Sequence, residues 1–89
     1  MNLYTIILDF RAGTYIYQQT APTPKEAVLK WLNTLNTKDI QYFGNKSKTE
    51  LQNNTADLFE FLNGIETVQN VWHLTYSLPT GFLDIHIIK

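Results

Sequence analysis

Ser77, Asp84, His86 and His73 are the side chains with the most chemical potential, and they lie close together near the end of the chain. If residues 72–78 and 83–88 pair as antiparallel strands, Ser77, Asp84 and His86 emerge near one another, with His73 diagonal to His86. A serine, a histidine base and an orienting carboxylate form the set used in nucleophilic catalysis. That chemistry also needs donors for a developing oxyanion and a pocket that excludes water. A flat strand face without a glycine-rich elbow offers neither, so the group reads as polar residues on a solvated strand and no catalytic residue is assigned. His73, His86 and Asp84 also make a two-histidine, one-carboxylate donor set. No second carboxylate reinforces it, so neither a metal nor a cofactor is expected.

Tyr15 and Tyr17, alternate residues of a strand, resemble the stacking rings of sheet-based single-strand RNA binders. Such platforms pair rings with cations, and here the sheet brings only Arg11 and Lys89. Lys38, Lys46 and Lys48 cluster in the centre, beside Asp39 and Glu50. Seven basic against eight acidic side chains give a formal charge of −1, which argues against nucleic acid as partner. No phosphate-binding glycine loop, His-Glu-x-x-His or Ser-x-x-Lys pattern occurs,. The absence of cysteine excludes disulfides and thiolate zinc sites,. The start lacks a basic, apolar leader and no apolar run is long enough to span a bilayer. The expected compartment is therefore the cytoplasm, with no membrane partner.

The positioning elements follow from periodicity. Leu3 to Phe10 alternates, with Tyr4, Ile6, Leu8 and Phe10 on one face and Leu3, Thr5, Ile7 and Asp9 on the other. Arg11-Ala12-Gly13 reads as a three-residue hairpin loop with Gly13 in the left-handed region. That register sets Phe10 opposite Thr14 and Leu8 opposite Ile16, and sends Tyr15 and Tyr17 to the far face; a two-residue loop would reverse them. Thr23-Pro24-Lys25-Glu26 is a capping box that opens a helix, with Ala27, Val28, Trp31, Leu32 and Leu35 on its apolar side. A second box, Ser47-Lys48-Thr49-Glu50, opens another helical pattern through Leu51, Leu58 and Leu62, weak at Asn53-Asn54 and stopped by Asn63-Gly64. Helix is expected near 55 to 63, as one piece or two over 47 to 63. The final hairpin turns at Pro79-Thr80-Gly81, and an even-numbered loop pairs Leu78 with Leu83, Tyr76 with Ile85 and Leu74 with Ile87.

The order ββααββ predicts one α+β domain over residues 1–89, a four-stranded antiparallel sheet of two hairpins with helices packed on one face. Trp31 and Trp72 are expected in the core. The uncovered face is expected to carry Ile7, Tyr15, Tyr17, His73, Thr75, Ser77, Asp84, His86 and Ile88. Of these, Ile7, Tyr15, Tyr17, His73, Thr75, Asp84 and His86 are the candidate interaction residues. Tyr4 to Tyr17, followed by Thr23-Pro24-Lys25-Glu26-Ala27-Val28, resembles the start of HicB-type antitoxin domains, which also run a hairpin into a helix. The chain departs from that pattern in having no clear third strand before the helix, and in its second helix and final hairpin. The functional expectation is a non-enzymatic module that binds a protein partner or itself through its open sheet face or an edge strand. A neutraliser of another protein is one version of it. The alternative is a small enzyme or small-molecule binder with a site between helix and sheet around Trp31, Tyr42 or Trp72.

Overall fold

A computed structural model describes residues 1–56, the backbone of 63–64, and residues 70–89. The chain runs through β1 (Asn2–Phe10), β2 (Gly13–Ala21), α1 (Pro24–Thr34), a short 3-10 turn (Thr37–Asp39), α2 (Gly44–Asn53), β3 (Asn63–Gly64), β4 (Val71–Leu78) and β5 (Gly81–Ile88). The four main strands form the expected antiparallel sheet, extended at one side by the two-residue β3, in the order β2-β1-β5-β4-β3. The two hairpins join through their outermost chain segments, β1 against β5, with Ile6 opposite Ile87, Leu8 opposite Ile85 and Phe10 opposite Leu83.

Alternation on these strands builds the core directly, because successive side chains point to opposite faces. Tyr4, Ile6, Leu8 and Phe10 of β1, Leu83, Ile85 and Ile87 of β5, and Leu74 and Leu78 of β4 are all buried on the helix side. Thr23 caps α1 as expected, its hydroxyl accepting the Glu26 N–H at 3.2 Å, and Ala27, Val28, Trp31 and Leu32 close over the sheet. Phe43 from the chain before α2 meets Phe10 edge-on at 5.5 Å. Among the described residues no helix is long and apolar enough to cross a membrane.

The first hairpin departs from its expected register. Pairing runs Phe10↔Gly13, Leu8↔Tyr15 and Ile6↔Tyr17, so the loop is the two residues Arg11-Ala12. Both are left-handed, at φ 49° and 67°, the pattern of a type I′ turn, whose twist suits a tight hairpin. Shifting by one residue flips β2: Tyr15 and Tyr17 lie on the helix side and Ile16 faces outward. The physical reason is the content of the two faces. Tyr15, Tyr17 and Ala21 bring more apolar area to the core than Thr14, Ile16, Gln18 and Thr20 would.

The second hairpin keeps its parity but slides by two. Its loop is Pro79-Thr80, and Tyr76 lies opposite Leu83, Leu74 opposite Ile85 and Trp72 opposite Ile87. A shift of two leaves every side chain on its expected face. The second helix also starts earlier than the capping pattern implied, at Gly44 rather than after Ser47. Ser47 is buried inside α2 and exchanges a hydrogen bond with the Thr80 hydroxyl at 2.9 Å, so it ties helix to hairpin instead of capping. The helix stops at Asn53, where the Asn54 N–H returns to the carbonyls of Glu50 and Leu51. Leu58, Phe59 and Leu62 lie outside the described residues. Asn63-Gly64, expected as a helix stop, instead pairs with His73 and Trp72 as β3.

Candidate interaction face

On the open side of the sheet the cross-strand partners form a grid. One row runs Thr14, Asp9, Asp84, Thr75 from β2 to β4. The next runs Ile16, Ile7, His86, His73, and the third Gln18, Thr5, Ile88, Val71. Leu3 and Thr20 follow at one end, and Phe82 faces Ser77 at the other. Five of the candidate residues, Ile7, His73, Thr75, Asp84 and His86, therefore share this face. Tyr15 and Tyr17 do not.

The polar part of the grid is organised by contacts between strands. Asp9 and Asp84 are directly opposite, an unfavourable pairing of like charges unless each finds a partner. Each does so on its own side: the Thr14 hydroxyl donates to Asp9 at 2.7 Å, while the His73 Nε2–H donates to the Asp84 carboxylate. His73 then stacks on His86, ring centres 4.4 Å apart and planes inclined by 19°. The His73 and Asp84 side chains remain 37% and 35% exposed. This arrangement does not assemble the serine relay, since Asp84 orients His73 rather than His86 and Ser77 faces Phe82. Among the described residues no three His, Asp or Glu side chains converge as a metal-ligand set.

The apolar part is a zigzag stripe through Ile16, Ile7, Ile88 and Leu3, flanked by Val71. Ile16 is 66% exposed, Leu3 55% and Ile88 37%, and Phe82 at the far end is 60% exposed. Sequence reasoning missed Ile16, because the one-residue register error put it under the helices, and Phe82, because it was assigned to the turn. The missed signal was the Tyr-x-Tyr-x-x-x-Ala spacing of Tyr15, Tyr17 and Ala21, a richer core stripe than the residues between them.

Tyr15 and Tyr17 serve the covered side instead. The Tyr17 ring lies 5.7 Å from that of Trp31, and the Tyr15 hydroxyl accepts the Gln41 N–H at 3.2 Å. Burial, then the Asp39 carboxylate, then Tyr15 push the Tyr17 phenol above its ordinary value,. The residues of the alternative ligand site lie in three different surroundings. Trp31 is in the core at 1% exposure, its indole N–H without an acceptor among the described residues. Trp72 is half-buried edge-on to Tyr4. Tyr42 is 65% exposed under the Arg11 guanidinium, 4.2 Å from its ring centre. Comparison with protein-family models, with curated proteins and with solved structures finds no match.

Proposed function

We propose that the chain is a non-enzymatic protein-interaction module that engages a protein partner on its open sheet face. The observation that carries this reading is the aliphatic stripe of Ile16, Ile7, Ile88 and Leu3. It lies on the face opposite the helices and has on its flank a fixed Asp84–His73–His86 group. Apolar surface left in water forgoes about 25 cal/mol for each Å² that a partner would cover. The flank supplies oriented polar groups that give such a contact direction, as in interfaces that combine apolar anchors with hydrogen bonds. A partner of this kind brings an apolar ridge for the stripe and donors or acceptors for the imidazole–carboxylate group. Neutralising another protein by covering its working surface is one biological use that fits.

The test is recovery of partners from the native cell with tagged chain and with the variants Ile7→Ser and Phe82→Ser, each checked for fold by circular dichroism. The wild-type chain is expected to retain a defined protein that both variants lose while remaining folded. Equal recovery by the variants, or no retained protein, overturns the reading.

A further inference from the structure

We propose that β2 is a self-association edge: two copies join β2 to β2 antiparallel, about a two-fold axis at Ile16, into one continuous sheet. This goes beyond the open-face reading, since it uses the rim of the sheet rather than its face. Among the described residues β2 is terminal in the sheet order, with only β1 beside it. Its nine residues, Gly13–Ala21, include no proline and no charge, the two devices that most often keep an edge strand from pairing. At the opposite side, β3 pairs with Trp72 and His73 at the start of β4.

The backbone of β2 indicates where a second strand fits. In a two-residue hairpin the flanking residues, here Phe10 and Gly13, exchange both their hydrogen bonds, and the pattern then alternates. Gly13, Tyr15, Tyr17 and Gln19 thus bond inward to β1, and Thr14, Ile16, Gln18 and Thr20 turn their N–H and C=O groups outward. The Lys30 ammonium confirms that direction by reaching the Thr20 carbonyl at 3.1 Å, and it occupies that end of the edge. Among the described residues this leaves a window of three outward residues, Thr14, Ile16 and Gln18, with Ile16 at its centre.

A symmetric strand centred on that window pairs Ile16 with its own copy and Thr14 with Gln18 of the second copy. Roughly six backbone hydrogen bonds form, and the Lys30 contact to Thr20 is undisturbed. On the open face the two Ile16 side chains cover each other, and their stripes meet across the axis. On the helix side Tyr15 lies beside Tyr17 of the second copy, and the two α1 helices flank the axis. With no charge on the strand, no like-charge pair opposes the register. The window thus fits a second copy of this chain.

Because the chain has no cysteine, single thiols report the register without background. Residues of a hydrogen-bonded antiparallel pair have Cα atoms about 5.5 Å apart, inside the span of a disulfide. Ile16→Cys is expected to give a disulfide dimer under mild oxidation. Thr14→Cys alone and the mid-face control Thr5→Cys are expected to stay monomeric on denaturing gels. Thr14→Cys combined with Gln18→Cys is expected to cross-link. By sedimentation the wild-type chain is expected to be a dimer, and Ile16→Lys, which puts two ammonium groups at the axis, to dissociate roughly tenfold or more readily.

A wild-type monomer at all concentrations with no Ile16→Cys disulfide overturns the proposal, as does a dimer cross-linked through Thr5→Cys but not Ile16→Cys. If Ile16→Lys fails to fold, the cysteine variants still decide. A monomer whose Ile7→Ser and Phe82→Ser forms lose a retained partner removes self-pairing and leaves the open-face reading standing. An Ile16-linked dimer that retains no other protein does the reverse.

Discussion

The two faces of the sheet are made by alternate residues of the same strands, yet they do different physical work. On the covered face Ile6, Leu8, Ile85 and Ile87 are fully buried and aromatic rings lock at angles to one another. One residue away, Ile16 is 66% exposed and Leu3 55%, and order comes from polar contacts between strands. Stability is concentrated in one parity of each strand, which leaves the other parity free to vary with whatever the face must touch.

The most severe way to break this comparison is Ile85→Ala, at the centre of the covered face on an inner strand. A loss of about 3 kcal/mol is expected, from lost transfer and an uncollapsed cavity, read from the urea midpoint. Tyr17→Ser is expected next, at about 2 kcal/mol, because it removes the ring against Trp31. Ile7→Ser on the open face should lose about 1 kcal/mol or less, and equal losses at Tyr17 and Ile7 would erase the distinction between the faces. Thr23→Ala should cost about 1 kcal/mol through the uncapped Glu26 N–H, a melting-temperature drop of roughly 4–8 °C for a chain this size. The smallest effect concerns alkali. Since the Tyr17 phenol is raised above 10.0 in the folded chain, the unfolded chain gives up that proton first, and stability falls as pH rises past about 10. Tyr17→Phe removes this contribution, so its melting temperature should fall less over that interval than that of the wild-type chain.

Much of the fold was legible because β1, β5 and α1 carry unambiguous periods: Tyr4, Ile6, Leu8 and Phe10 leave one choice of face, as do Leu83, Ile85 and Ile87. The capping pattern at Thr23 was equally plain. β2 was harder, since Tyr15 and Tyr17 compete with Ile16 for the core, and the glycine at 13 suggested a loop that Arg11 and Ala12 form between them at a less favourable backbone angle. Ser47 shows a further limit. The same residue type caps a helix or bridges two elements, and only the approach of Thr80 distinguishes the two. Of the candidate site, the residues of β4 and β5 were visible because a slip of two preserves parity, whereas the contribution of β2 was inverted by a slip of one.

The pairing of β1 with β5 has a consequence for how the molecule forms. These strands come from opposite ends of the sequence and meet in the middle of the sheet, Thr5 opposite Ile88 and Phe10 opposite Leu83. Closing so long a loop delays the contact that completes the core, and such non-local topologies assemble slowly. Until the second hairpin arrives, β1 has a bare flank of its own, flush with Ile6 and Leu8. The vulnerable moment in the life of this chain is therefore its assembly, and a fragment ending before Val71 should aggregate rather than persist as a half-built sheet.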